Sequence, residues 1–222
     1  MKKFLHVLTG SPLFVNIASS ELEMLLGCLA PVGRSVAKGE VVMAEGEPAS
    51  HIGIVLSGSV QVVREDYYGN RSMMGKISAG GLFAEAFACA GVSGMPVSVI
   101  AAEASEILLI EASRVTHSCA HGCSFHHQLI YNLMKILATK NLICNQKIEV
   151  TSKRTTREKL MAYLLLEAKR AGDRAFDIPY DRQELADYLE VDRSGLSAEI
   201  SKLRREGVLI AAKNHFELLK EK

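Results

Sequence analysis

His117, Cys119, His121, Cys123, His126 and His127 fall within one run, THSCAHGCSFHHQ, which holds four of the chain's seven histidines and two of its five cysteines. Nitrogen and sulfur donors at this density suit Zn, Ni or Cu, with His117, Cys119, His121, Cys123 and His126 as the candidate ligands. Cys123 also precedes a helical stretch, where a depressed thiol pKa would make it a redox sensor. The spacing matches no standard zinc finger, so the competing reading is a polar loop whose imidazoles face water. A second set of side chains lies near the C-terminus. Arg193, Ser194, Ser197, Ala198 and Ser201 recur on one face of a helix whose opposite positions are Leu196, Ile200 and Leu203. Small and hydroxyl-bearing side chains, with an arginine in the first turn, are the types that meet base edges in a DNA groove. Arg182 and Lys213 would suit phosphates, which position a protein without reading sequence.

These residues need elements to hold them. In DRQELADYLEVDRSGLSAEISKLRREGVLI, Asp181 caps a helix carrying Leu185, Ala186 and Leu189 inward, and Glu190-Val191 makes a short turn. Asp192 then caps the second helix, at the edge of the DNA-facing set, and Gly207 ends it. Val208-Leu209-Ile210 and Phe216 to Leu219 flank Lys213-Asn214, which predicts a hairpin, a wing following a helix-turn-helix. A helical hairpin in an α-rich domain has the same periodicity; the wing shifts the balance toward DNA binding.

Upstream the period changes. Ser19 or Ser20 caps an amphipathic helix through Leu22, Leu25, Leu26 and Leu29, ended by Pro31 and Gly33. From Val32 to Ile110, six short apolar runs punctuated by glycine predict the strands of a barrel or sandwich, with a hairpin tip at Tyr68-Gly69-Asn70. A helical period returns from Phe125 to about Ile148. Leu129, Ile130, Leu133, Ile136, Leu137, Ile143 and Cys144 make it apolar over a wide face, enough for its own barrel and a second copy of itself. The alternative is a helix packed wholly within one chain. Thr155 and Glu158 form a capping box for the next helix, which ends near Gly172. The division expected is a sensing barrel over 1–124, a dimerisation helix over 125–150 and a winged helix-turn-helix over 151–222.

The 222 residues suffice for two small domains, and a net charge of +1 argues against a polybasic coat for nucleic acid. The split is mild: 11 Lys/Arg against 12 Asp/Glu up to Val150, a balance of −1, and 15 against 13 from Thr151, a balance of +2. No apolar run reaches the roughly 18 residues of a membrane span, and MKKFLHVLTGSPLF is short and interrupted for a signal peptide. A cytoplasmic chain with reduced cysteines and no membrane partner is expected.

A glycine-punctuated barrel, a long helix and a winged helix-turn-helix, in that order, resemble the Crp/Fnr family of bacterial transcription regulators. GEPASHIGIVLSGSVQVV is similar to the family's barrel segment, GGLFAEAFACAGVSGMPVSV stands where the family has its phosphate-binding cassette, and RQELADYLEVDRSGLSAEISKLRREGVL resembles its helix-turn-helix nearly without gaps. The resemblance implies an α+β fold: a double-stranded β-helix (jelly-roll) barrel like that of cyclic-nucleotide-binding domains, a long dimerisation helix and the winged module. It also implies a homodimer on a palindromic promoter site in double-stranded DNA, with RNA polymerase as a further partner of an activator.

The cassette departs from the family pattern. Cyclic-nucleotide-binding members use Phe-Gly-Glu and an Arg-Ser or Arg-Thr pair, in which helix amides and a guanidinium neutralise the phosphate and the Glu takes the ribose hydroxyl. Here the effector pocket would be Phe83, Ala84, Glu85 and Ala86 with Val97 and Ser98, and Met95-Pro96-Val97-Ser98 contains no arginine. Cyclic AMP is therefore not the expected effector. Glu85 would hydrogen-bond another small molecule or cap its own helix. No cysteine precedes Cys28, which argues against the iron–sulfur centre of the oxygen-sensing branch. Haem stays open, since one histidine suffices as axial ligand. Many relatives read a G·C pair with a Glu and an Arg four residues later; Ser194 and Ala198 stand there, so the operator should differ. Two competing functions remain: a cupin-like metal-dependent barrel enzyme, for which only His51 stands on a strand, and a ligand-binding module without DNA affinity.

Overall fold

A computed structural model describes residues 4–65, 67, 71–117 and 124–219. It divides the chain into two compact units, residues 1–139 and 140–222, with separate apolar cores. The tip 68–70 lies outside the described residues.

In the first unit eight strands follow a short helical start: β1 (Val32–Val36), β2 (Val41–Met43), β3 (His51–Ser57), β4 (Ser59–Glu65), β5 (Arg71–Ser78), β6 (Leu82–Phe83), β7 (Ser98–Ala101) and β8 (Ser105–Glu111). They form two four-stranded sheets, in the orders β1-β8-β3-β6 and β2-β7-β4-β5, with every pairing antiparallel. Five consecutive buried residues, Ile52 to Leu56, mark β3 as covered on both faces, which is why it reads as a continuous apolar run. The six apolar runs miss β1 and β6. In β1 only Val36 is buried, because the strand lies at a sheet edge and carries Gly33, Arg34 and Ser35; β6 is too short to show a period.

Helices share an apolar core with β3 and β8 of this unit. In chain order they are α1 (Leu5–Gly10), α2 (Ser19–Leu29), α3 (Glu85–Ala90), α4 (Ala112–Thr116) and the long α5 (Ser124–Thr151), which continues into the second unit. Leu8 of α1 and Leu13 and Phe14 of the turn after it are buried with the leucines of α2. The cap of α2 differs from the serine expected: Ala18 holds that position, and the Glu21 carboxylate accepts its N–H at 3.2 Å. Ala30, at φ 42°, ends the helix before Pro31 is reached. Leu129 and Leu133 of α5 are buried in the same core, and the buried Asn132 amide donates to the carbonyls of Leu13 at 2.9 Å and Val15 at 2.7 Å.

The second unit holds α6 (Thr156–Ala171), β9 (Ala175–Asp177), α7 (Arg182–Leu189), α8 (Arg193–Arg205), β10 (Leu209–Ala212) and β11 (His215–Leu218). Thr155 and Glu158 form the expected capping box, and Gly172, at φ 70°, ends α6. The wing is a three-stranded sheet, β10-β11-β9. Its third strand escapes sequence reading because Ala-Phe-Asp offers one apolar residue. Leu160, Leu164, Leu185, Leu189, Leu196, Leu203 and Phe216 are fully buried at the centre, joined by Val150 from the end of α5. Tyr163, Tyr180 and Tyr188 pack with ring centres 5.1–6.2 Å apart, and burial raises all three phenol pKa values.

The turn between α7 and α8 contains a strained residue. Glu190 ends α7 in the left-handed region, at φ 54°, and the Lys159 ammonium donates to the carbonyls of Leu189 at 3.1 Å and Glu190 at 3.3 Å. Left-handed backbone costs a non-glycine residue about 1–2 kcal/mol. Glycine returns part of that to the unfolded chain as entropy. The exposed Glu190 side chain has little packing to lose, so Glu190→Gly is expected to raise the stability of this unit by up to about 1 kcal/mol. Thermal or urea unfolding with the same slope and a higher midpoint is the expected readout.

Candidate functional site

The C-terminal site is built on two capped helices. The Asp181 carboxylate accepts from the N–H groups of Gln183 at 2.7 Å and Glu184 at 2.9 Å, while Glu184 accepts from Asp181 N–H at 2.8 Å. Asp192 caps α8, accepting from Gly195 N–H at 2.9 Å and from the Ser194 hydroxyl. Those two bonds, the hydroxyl first, hold its carboxyl below the usual aspartate range. Asp192 and Ser194 are therefore engaged with each other, and the serine oxygen keeps only acceptor capacity for a ligand.

Arg193, Ser194, Ala198 and Ser201 lie exposed on α8, whereas Ser197 is half-buried. Ser201 turns its hydroxyl back onto the Ser197 carbonyl at 2.9 Å. A cleft of about 600 Å³ opens where the start of α7, the start of α8 and the wing turn converge, lined by Tyr180, Arg182, Gln183, Arg193, Lys213 and Asn214 among others. Arg193 and the exposed Lys213 put positive charge on its walls. The half-buried Arg182 points inward instead, donating to the Lys213 carbonyl at 3.2 Å. A second cleft, about 500 Å³, runs between the end of α8 and β10, lined by Ser201, Arg204, Arg205, Leu209, Ile210 and Leu219. Arg204 and Arg205 are not among the residues expected from the sequence, although the basic run Lys202-Leu203-Arg204-Arg205 at the end of α8 marks them.

In the barrel, Phe83, Ala84, Glu85 and Val97 are buried, Ser98 is half-buried and Ala86 is exposed. The Phe83 ring lies so close over Gly53 that a Cβ there would stand 2.0 Å from it, so any side chain at this strand position would have to displace the buried ring. Ala84 caps α3 at φ 60°, the left-handed conformation that the family's glycine adopts without cost. Met95 and Val97 belong to the apolar core, and the Ser98 hydroxyl accepts from Glu45 N–H at 3.0 Å. The segment is pinned by Gly46 N–H to the Met95 carbonyl and Met95 N–H to the Glu47 carbonyl, each 2.9 Å. Burial, then the charge of Glu85, raises the Cys89 thiol, which disfavours a thiolate there.

Of the Cys/His run, Cys119, His121 and Cys123 lie outside the described residues. His117 is exposed and its Nδ1 meets the Ser113 carbonyl at 3.0 Å; His127 is exposed. His126 is buried, with Nε2 on the Arg114 carbonyl at 3.0 Å. Among the described residues, no group of three or more His, Cys, Asp or Glu side chains is arranged to hold a metal ion. His51, the one strand histidine of the cupin reading, is bonded through Nδ1 to the Ser50 hydroxyl at 2.8 Å.

On α5, Leu129 and Leu133 are turned into the chain's own core, and Ile136 and Leu137 pack partly against it. Ile130 is half-buried, Ile143 and Cys144 are exposed. Tyr131, Met134, Leu142 and Ile148, outside the expected stripe, are each more than half exposed. Among the described residues, no helix is long and apolar enough to cross a membrane.

Residues 33–121 match the cyclic nucleotide-binding domain, and residues 158–222 match the Crp-like helix-turn-helix domain. The chain belongs to the Crp/Fnr family. Crp/Fnr proteins are transcription regulators and not enzymes, which removes the cupin-like alternative. The transcriptional activator protein FnrL of Cereibacter sphaeroides is 34% identical over a stretch covering 28% of this chain. The match spans 29% of that relative's length. Solved structures carry the fold along most of the chain. The Thermus thermophilus catabolite activator protein is 23% identical, with 94% of this chain and 93% of that one covered and a TM-score of 0.51. The c-di-GMP responsive regulator CLP of Xanthomonas campestris is 18% identical, with 90% and 100% covered and a TM-score of 0.55. The sensor domain of DNR from Pseudomonas aeruginosa is 18% identical, with 67% and 93% covered and a TM-score of 0.52.

Proposed function

We propose that this Crp/Fnr protein is a dimeric, sequence-specific DNA-binding regulator whose barrel senses something other than a cyclic nucleotide. The observation that carries the reading is the exposed face of α8, Arg193 to Ser201, beside a cleft walled by Arg193 and Lys213. In this reading α8 enters the major groove, Arg193 meets a base or phosphate, and Lys213, Arg204 and Arg205 hold the backbone. Ser194, tied to the cap, and the methyl of Ala198 leave little capacity for the G·C readout of many relatives.

A mobility-shift titration against the DNA upstream of the chain's own coding sequence tests this. The wild-type protein should give a discrete complex that weakens steeply with salt. Arg193→Ala should lose about 1–3 kcal/mol, roughly 5- to 150-fold, if the guanidinium reads a base. Unchanged binding by that variant removes the assignment, and no complex at any salt concentration leaves a ligand-binding module in place of a DNA-binding one.

The effector follows from the cassette. A cyclic phosphate buried beside Met95 and Val97 would sit against apolar core without the guanidinium that relatives place there. Calorimetric titration with cyclic AMP and with cyclic GMP should give no saturable heat; micromolar binding of either overturns the reading. Dimerisation draws on Ile130, Met134, Ile143, Cys144 and Ile148, while Leu129 and Leu133 stay with the chain's own core.

A further inference from the structure

Arg182 is the first residue of α7, a position that on sequence alone suits a phosphate contact. Its guanidinium is occupied within the chain. Nη2 donates to the Lys213 carbonyl at 3.2 Å, and Cζ lies 5.7 Å from the centre of the Phe216 ring, within cation–π range. Nη1 is buried, with no hydrogen-bond acceptor among the described residues. Phe216 is itself fully buried in β11, so the arginine stands on the rigid middle of the wing while its fork reaches the wing's tip.

That tip needs holding. Lys213 is at φ 54°, a left-handed conformation costing a residue with a side chain about 1–2 kcal/mol. Next to it, Asn214 is tied to Ile178 by Ile178 N–H to the Asn214 carbonyl at 2.9 Å and by the Asn214 amide to the Ile178 carbonyl at 3.3 Å. Arg182 supplies the corresponding restraint on Lys213. It comes from the helix whose capped start lines the same cleft as Arg193.

We infer that Arg182 is a positioning residue that locks the wing turn to the first helix of the helix-turn-helix. It sets the placement of Lys213 relative to Arg193 and does not itself contact phosphate. The inference rests on the reading of this unit as DNA-binding. Lysine separates the two roles: it keeps the point charge a phosphate needs but lacks the planar fork and the flat face that stacks on a ring.

The test uses full-length protein with Arg182→Lys, Arg182→Ala, Lys213→Ala and the double Arg182→Ala/Lys213→Ala. Amide hydrogen exchange without DNA is read first. Both Arg182 variants should speed exchange at the wing turn, 212–215, by about tenfold or more while α8 stays protected. Operator affinity is read next. Arg182→Lys should weaken binding about as much as Arg182→Ala, and adding Lys213→Ala to Arg182→Ala should cost far less than it costs alone. The opposite set overturns the proposal: wild-type exchange in both variants, near wild-type affinity in Arg182→Lys, and an Arg182→Ala loss that adds fully to Lys213→Ala and lowers the salt slope by about one, the signature of a direct phosphate contact. If wild-type protein binds no DNA, the DNA-binding reading falls separately, and hydrogen exchange alone decides the lock.

Discussion

Met134→Lys is expected to separate the proposed dimer and to abolish almost all operator binding. Met134 is 57% exposed on the long helix α5, one helical turn after Ile130 and after Tyr131, itself 57% exposed. Large apolar side chains left in water on a helix face are surface that association would bury, each contributing about 1.5–3 kcal/mol when fully covered. Two copies of a lysine at a self-facing position replace that gain with like-charge repulsion and desolvation. A monomer keeps its recognition helix but loses the second half-site, which in linked binding is worth about 10²–10⁴ in affinity. Sedimentation should show the monomer mass, and mobility shift should show a loss of that order. Met134 is not in the chain's own core, so the melting of the first unit should hold. A variant that stays dimeric places the interface elsewhere.

Leu196→Ala is expected to unfold the DNA-binding unit selectively. Leu196 is fully buried in α8, against a core shared by α6, α7 and the wing. Truncating a buried leucine removes its transfer energy and leaves a cavity, together about 2–5 kcal/mol. For a unit of this size that is a large fraction of the total, since small domains hold about 5–15 kcal/mol. At about 4–8 °C per kcal/mol, the midpoint of the second unit should fall by about 10–40 °C. Because the first unit has its own core, its transition should stay in place. Calorimetry resolving two transitions checks both statements, and a shift of both together would mean that the units unfold as one.

The two effects probe different layers of the same design, and they differ in how far the chain announced them. Leu196 was legible because α8 is a local object. Its cap at Asp192, its inward spacing with Ile200 and Leu203 and its stop at Gly207 all lie within sixteen residues of sequence. Met134 was not legible. The stripe read from the sequence runs through Leu129, Ile130, Leu133 and Leu137 and leaves Met134 out, because nothing local says which positions the barrel claims. That partition depends on α2 and on Leu13 and Phe14, more than a hundred residues away, which bury Leu129 and Leu133 and leave Met134 in water.

The cassette shows a similar division. The absence of arginine from Met95 to Ser98 is a property of the sequence, and it leaves a cyclic phosphate without the counter-charge that relatives supply. The left-handed backbone at Ala84 and the consumption of Ser98 by Glu45 N–H are properties of the folded barrel. Ala84→Gly would relieve about 1–2 kcal/mol of strain, but it removes a buried methyl worth about 0.8 kcal/mol and adds unfolded-state entropy of similar size. The retention of alanine there therefore needs no functional reason.

Determined by the sequence were the order of the elements, the caps of α6, α7 and α8, the turn of the wing and the exposed chemistry of α8, because each rests on side chains and backbone within a few residues of one another. Arg182 marks what only the tertiary structure decided. One arginine at a helix start suits a phosphate or a neighbouring turn equally well, and the choice is made by Phe216 and the Lys213 carbonyl, about thirty residues on, which the fold brings against its guanidinium.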